Sequence, residues 1–170
     1  MGKKRKVKTL GALLFILYLF ILVWIILFKL QFSLRDIDTI RFVNLIPFHY
    51  ANSVGGLFQI TEIRDNVLIF IPFGVLLSMQ APKMKLGSKI LIILGTSFAL
   101  ETLQYILSIG VTDITDLITN VSGGLIGILL YSFLLKTVKD KQKIDTVISV
   151  FGGIMAVLFS GLMSILLLVN

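Results

Sequence analysis

Five polar side chains that could transfer protons or bind a polar ligand are concentrated in LETLQYILSIGVTDITDLITNVSGG, residues 100–124. They are Glu101, Gln104, Asp113, Asp116 and Asn120. The first two are three residues apart, and the last three follow at intervals of three and four, so each set shares one helix face. Paired carboxyls can act as general acid and base or as a proton relay, and they can also bind a polar head group.

Several of these residues also have a structural interpretation. Asp113 followed by Asp116 fits a helix N-cap with an acid at the third helical position, where negative charge suits the helix dipole. Asn120 could hydrogen-bond to a neighbouring helix. Glu101 has the weakest structural explanation, because a carboxyl inside an apolar helix must be paired, protonated or hydrated.

The composition predicts the environment of these residues. Of the 170 residues, 56% are hydrophobic and 15% are charged, whereas soluble domains have about 45–50% and about 25%. The chain has no cysteine, which excludes disulfides, thiolate metal sites and a catalytic thiol. We therefore predict an all-α, polytopic membrane helical bundle that forms a single domain over residues 1–170.

Apolar runs predict about five transmembrane helices, each crossing roughly 30 Å of hydrocarbon. The run that contains Pro72 is the weakest because it is short. The first run follows a basic segment, but it is long and lacks a small-residue cleavage site, which favours an uncleaved anchor over a signal peptide. The run at 42–50 is too short to span and fits a re-entrant or interfacial segment. The five predicted spans are Thr9–Phe28, Asn66–Ala81, about Ile90–Ile109, about Asp116–Leu135 and about Val147–Val169.

The positions of the basic residues predict the orientation. The N-terminal tail holds five Lys and Arg residues, the 82–89 loop three and the 136–144 segment four, all on one side of a five-span arrangement. Cytoplasmic loops accumulate Lys and Arg, so the N-terminus is predicted inside and the C-terminus outside. The net charge of +7 is then mainly a topology signal and an attraction to anionic lipid, not a sign of nucleic-acid binding. In this orientation the polar residues of the 100–124 stretch, together with Asn66, lie in the outer half of the membrane.

Four short motifs occur in a characteristic order: NLIPF at 44–48, NVLIFIPFG at 66–74, ETLQ at 101–104 and DITDLITNVSGG at 113–124. In this respect the chain resembles the VanZ-like membrane protein family over about residues 40–135, with the anchor helix 9–28 and the C-terminal helix 147–169 outside the distinctive part. Many members have an arginine at the position of Gly110, so the charge balance of the site differs here. The resemblance implies a role for the matching positions, which are Asn44, Pro47, Asn66, Pro72, Gly74, Glu101, Gln104, Asp113, Asp116, Asn120 and Gly124.

The resemblance also implies a bacterial cytoplasmic-membrane protein, and the namesake of the family is associated with low-level resistance to the glycopeptide teicoplanin. We expect an outward-facing polar pocket that binds or acts on a membrane lipid, a lipid-linked envelope precursor or a lipoglycopeptide. Two other functions remain open, an intramembrane enzyme using paired carboxylates and a small proton-coupled transporter. We expect no cofactor and no metal, because His49 is the only histidine and zinc sites need three or four good ligands.

Overall fold

The computed structural model describes residues 2–28, 40–48 and 56–169. Five α-helices account for most of this part of the chain, which confirms the predicted all-α class. Two short strands, which hydropathy did not predict, lie among them. The elements are α1 (Gly2–Phe28), β1 (Ile40–Asn44), α2 (Gly56–Gln80), α3 (Leu86–Leu107), β2 (Ile109–Asp113), α4 (Ile114–Val138) and α5 (Lys141–Val169).

Within the described residues, four helices are long and apolar enough to cross a membrane, namely α1, α3, α4 and α5. The helix α2 is not among them, so the fifth span and the orientation stay predictions. All five helices begin earlier than hydropathy predicted, with the largest differences at Gly2, Gly56 and Lys141. The apolar pattern marks only the hydrophobic part of each helix, whereas the helices continue into polar residues beyond it.

Glycines bring α2 and α4 into close contact. A Cβ atom added at Gly74 would lie 2.0 Å from the carbonyl oxygen of Gly124, and one at Gly127 would lie 2.1 Å from that of Ile71. Any larger side chain would therefore push the two helices apart. Such small-residue contacts are a common basis of helix association in membranes, because lipid supplies no hydrophobic driving force between apolar helices.

Pro72 lies inside α2, with its side chain on the exposed surface of the helix. Proline lacks an N–H group and frees a carbonyl in the preceding turn, which a neighbouring group must satisfy in a membrane. Pro72 frees the carbonyl of Leu68, and the next carbonyl along the chain, that of Ile69, accepts a hydrogen bond from the Tyr18 hydroxyl on α1. The kink-prone part of α2 is thus held against the first helix.

Two hydrophobic clusters hold the helices together. The cluster beside the polar site contains Leu22, Phe70, Phe73, Ile93 and Leu100, together with residues of the neighbouring turns. The second cluster lies towards the opposite end and contains Leu14, Leu76, Met79, Tyr131, Ile144 and Ala156. Large apolar side chains also face outward, such as Phe20 and Val157, which are 72% and 71% exposed. An apolar exterior of this kind is suited to a lipid environment.

The two strands pair in parallel, from Ile40 opposite Ile109 to Asn44 opposite Asp113. The chain reverses between α3 and β2 at Ser108, whose left-handed backbone (φ 57°) caps the helix. As a result β2 returns alongside the last turns of α3, and β1 places the 44–48 segment next to the start of α4.

Candidate functional site

Glu101 fixes the position of the returning strand. Its side chain is 5% exposed, and its Oε2 accepts a hydrogen bond from the backbone N–H of Asp113 at 3.3 Å. The Glu101 carbonyl also accepts a hydrogen bond from the Thr112 hydroxyl at 3.2 Å. The Glu101 carboxyl, which was predicted to be the main functional group, therefore also makes a structural contact that joins α3 to the start of α4.

Asp113 combines two roles through its two carboxyl oxygens. Oδ1 accepts the backbone N–H of Thr115 at 2.7 Å, which makes this residue the N-cap of α4. Oδ2 accepts a hydrogen bond from Nδ2 of Asn44 at 3.0 Å, across the end of the strand pair. The structural interpretation of Asp113 as a cap is correct, and the same residue also brings the Asn44 segment to the site.

The Asn44–Phe48 segment folds into a tight turn against α4. Oδ1 of Asn44 accepts the N–H of Ile46 at 3.2 Å, a local contact typical of asparagine in turns. Pro47 follows in the turn, and Phe48 has a positive φ of 54°, an uncommon conformation for a bulky residue. The Phe48 N–H donates to the hydroxyl of Thr115 at 3.0 Å, so this turn is joined directly to the first turn of α4.

Asp116 connects α4 with α2. Its Oδ1 accepts a hydrogen bond from Nδ2 of Asn66 at 2.7 Å. A hydrogen bond from an asparagine amide to a carboxylate is stronger than a hydrogen bond between two neutral groups. Asn66, which was predicted only to lie on the same side of the membrane as the polar stripe of α4, thus contacts that stripe directly.

Gln104 and Asn120 make buried contacts between helices. Gln104 is 3% exposed, and its Nε2 donates to the carbonyl of Ile26 on α1 at 3.0 Å. Asn120 is 1% exposed, and its Nδ2 donates to the hydroxyl of Ser97 on α3 at 3.0 Å. The carbonyl oxygen of each amide has no hydrogen-bond partner within the described part of the chain.

A cavity of about 510 Å³ opens between α1, α2, α3 and α4 at this site. One part of its wall is polar and the other part is apolar, which is the chemistry that an amphiphile presents. Four of the seven predicted polar residues line it, whereas Asn44, Asp113 and Asn120 are not among its described lining residues. The cavity is lined by Ile25, Ile26, Thr61, Glu62, Asp65, Asn66, Leu68, Ile69, Glu101, Gln104 and Asp116.

Sequence reasoning missed the polar wall that α2 contributes. Thr61, Glu62 and Asp65 belong to the first turns of this helix, but hydropathy placed the start of the helix at Asn66. Their spacing relative to Asn66 and Ile69 is helical, and this periodicity was the available signal. Asp65 forms an ion pair with its neighbour Arg64 at 2.8 Å, and both side chains are more than half exposed.

The remaining sequence predictions for the site concern His49, Gly110 and metal binding. His49 lies outside the described residues, as does the 29–39 segment that precedes β1. Gly110, where the resemblance described above leads one to expect an arginine, is the backbone partner of Arg41 in the strand pair. Across the described ranges, no group of three His, Asp or Glu side chains is arranged to hold a metal ion.

These features define a helical membrane protein with an open cavity, lined in part by polar residues, between four of its helices. The sequence model of the VanZ/LLP1 family matches residues 15–136. The chain is also 40% identical over 153 residues to the protein named Protein VanZ from Enterococcus faecium, covering 89% of this chain and 91% of that protein. The chain therefore belongs to the VanZ family. No solved structure matches it.

Proposed function

We propose that this VanZ-family protein binds the head group of a cell-envelope lipid or amphiphile in its polar cavity, and thereby contributes to resistance to teicoplanin-type glycopeptides. The observation that carries the proposal is the convergence of Asn66, Glu101, Gln104 and Asp116, from three different helices, on one cavity with an adjoining apolar wall. Buried carboxyls inside membrane helices are costly and usually functional.

Two further considerations support this assignment. The distribution of Lys and Arg predicts that the cavity opens toward the outer half of a bacterial cytoplasmic membrane, where envelope precursors and glycopeptides meet. The contacts of the site are hydrogen bonds between α2, α3, α4 and the strand pair, so a ligand would bind to a preorganised wall. Binding without a chemical reaction is sufficient for this function, because sequestering the amphiphile or altering the access of the glycopeptide requires no catalytic step.

The test uses isosteric variants that remove charge but keep hydrogen-bond acceptors. Glu101→Gln can still accept the Asp113 N–H, and Asp116→Asn can still accept the Asn66 amide. Asp140→Asn is the matched control, because Asp140 is exposed in the α4–α5 connection. Each variant is expressed at equal level in a teicoplanin-susceptible host that lacks the gene.

We expect Glu101→Gln and Asp116→Asn to return susceptibility to that of the empty host, whereas Asp140→Asn resembles wild type. Native mass spectrometry of the purified proteins should show a co-purifying amphiphile that is lost in the same two variants. Wild-type resistance in both cavity variants, with protein present in the membrane, would refute the proposed function.

A further inference from the structure

A second cavity lies at the opposite end of the helices from the polar site. It has a volume of about 690 Å³ and is formed by the beginning of α1, the end of α2 and the connection between α4 and α5. On α1 its lining residues Val7 and Lys8 are about 26 Å from Ile25 and Ile26 of the polar site, at 1.5 Å per residue. We refer to this space, which is lined by Lys8, Lys139 and Lys141, as the basic cavity.

The acidic side chains in the wall of the basic cavity are already engaged. Asp145 accepts hydrogen bonds from the Tyr131 hydroxyl at 2.8 Å and from the ammonium group of Lys141. Asp140 accepts the backbone N–H of Lys143 at 3.0 Å, at the start of α5. The Lys141 ammonium group is held further by the Tyr131 hydroxyl at 3.1 Å.

Lys8 and Lys139 remain available. Both are exposed, and among the described residues no hydrogen bond or ion pair of either ammonium group is present. These two cations, which have no partner in the described part of the chain, lie at the edge of a cavity lined by three lysines and two carboxylates, one of which is paired with Lys141. The surplus positive charge favours an anionic ligand.

An apolar groove of about 520 Å³ follows the basic cavity along the same helices. On α5, Asp145 lines the cavity and Ile148 lines the groove, three residues further on. On α2, Met79 lines the basic cavity, and Leu76, three residues earlier, lines the groove. The groove extends along α5 from Ile148 to Phe159, a length of about 16 Å.

The dimensions and openness of the groove fit an acyl chain. A length of about 16 Å is close to half of the roughly 30 Å hydrocarbon thickness, and therefore to the depth of one leaflet. Its wall is almost wholly apolar, and Phe151 and Met155, which are 66% and 51% exposed, form a border that is open to the surroundings of the bundle.

We propose that the basic cavity and the apolar groove together bind one anionic phospholipid, with its phosphate between Lys8 and Lys139 and one acyl chain along α5. The distribution of Lys and Arg predicts that this end lies at the cytoplasmic leaflet, where anionic lipids attract basic residues near the membrane surface. A free phosphate ion would account for the cavity but not for the groove. A partner helix would account for the groove but not for the two lysines.

Native mass spectrometry of the full chain in neutral detergent tests this site. The probes are phosphatidylglycerol and phosphatidylcholine with identical acyl chains, titrated separately and in competition. Each lysine near an anionic lipid is worth about a fivefold gain in affinity, so we expect phosphatidylglycerol to bind about 25-fold more tightly than phosphatidylcholine. The preference should decrease as the salt concentration rises, because salt screens exposed charges.

The variant Lys8→Gln with Lys139→Gln should lose most of this preference. Lys83→Gln with Lys85→Gln is the matched control, because it removes the same charge from the same end but from residues outside the cavity lining. Inorganic phosphate at millimolar concentration should not displace the lipid. The proposal is wrong if phosphatidylcholine binds equally well, if the Lys8 and Lys139 double variant keeps the preference, or if inorganic phosphate displaces the lipid. The two cavities are separate, so these outcomes do not bear on the polar site.

Discussion

At the scale of single residues, the polar side chains of the site make structural hydrogen bonds, and four of them also line the cavity. Glu101 was predicted as the residue with the weakest structural explanation, yet its carboxylate accepts a backbone N–H at the start of α4. Asp113 was predicted either as a cap or as a site residue, and it both caps α4 and binds Asn44. Side-chain types and helical spacing predict which residues are unusual. They do not predict the partner, because Asn44 and Asp113 are 69 residues apart in sequence.

The two roles of Asp113 can be separated by substitution. Asparagine is a good N-cap, so Asp113→Asn should keep the bond to the Thr115 N–H but lose the acceptor for the Asn44 amide. Asp113→Ala should lose both. We expect the free energy of unfolding to fall by about 1 kcal/mol in Asp113→Asn, as for one hydrogen bond, and by about 2 kcal/mol in Asp113→Ala, with the cap added.

Unfolding of the purified variants in mixed micelles measures both values. Asn44→Ala serves as the partner variant, since combining it with Asp113→Asn should cost less than the sum of the two single changes. Equal stabilities of Asp113→Asn and Asp113→Ala would show that the cap contributes nothing.

At the scale of elements, hydropathy predicts the helices but not where they begin, and it misses the strands. The predicted start of α2 at Asn66 was ten residues too late, because Glu62, Arg64 and Asp65 interrupt the apolar residues of the preceding turns. The strands β1 and β2 are five residues each, and a parallel pair depends on a distant partner that no local pattern contains. The polar wall of α2 and the Asn44 turn were therefore the least predictable parts of the site.

The packing of α2 on α4 gives a prediction at this scale. Alanine at Gly74 or Gly127 would place a Cβ atom about 2 Å from a backbone carbonyl oxygen of the other helix, which requires the helices to separate. Overpacking of this kind costs about 1–3 kcal/mol. We expect a lower thermal unfolding temperature in Gly74→Ala and Gly127→Ala, measured in detergent.

Matched controls are available within the same chain. A Cβ atom at Gly95 on α3 or at Gly153 on α5 would have no atom of another helix within 4 Å. Alanine at these positions should therefore leave the unfolding temperature unchanged or raise it slightly, because alanine favours a helix more than glycine does. If all four variants behaved alike, the close approach of α2 and α4 would not be a source of stability. Because Asn66 and Asp116 bond across the same pair of helices, loss of this packing should also disturb the polar cavity.

At the scale of the whole molecule, charge and cavities are divided between the two ends of the bundle. The polar cavity, which contains Glu101 and Asp116, lies at one end, and the basic cavity with Lys8 and Lys139 lies at the other. The helices between them present apolar side chains outward, which a bilayer solvates. Both proposals depend on which end faces the cytoplasm, and this follows only from the predicted orientation.

The orientation can be measured by cysteine labelling, because the natural chain has no cysteine and each introduced residue is a unique target. Single cysteines replace Arg64, Lys85 and Lys139, all of them exposed. Arg64 is ion-paired with Asp65 of the cavity wall, but labelling reports only the side of the membrane and does not require this pair. Intact cells are treated with a membrane-impermeant maleimide before and after permeabilisation. Since cytoplasmic segments accumulate Lys and Arg, we expect cysteine at position 64 to react in intact cells and cysteines at 85 and 139 to react only after permeabilisation. The opposite pattern would place the polar cavity at the cytoplasmic side, and reaction of 64 and 85 from the same side would show that α2 does not cross the membrane.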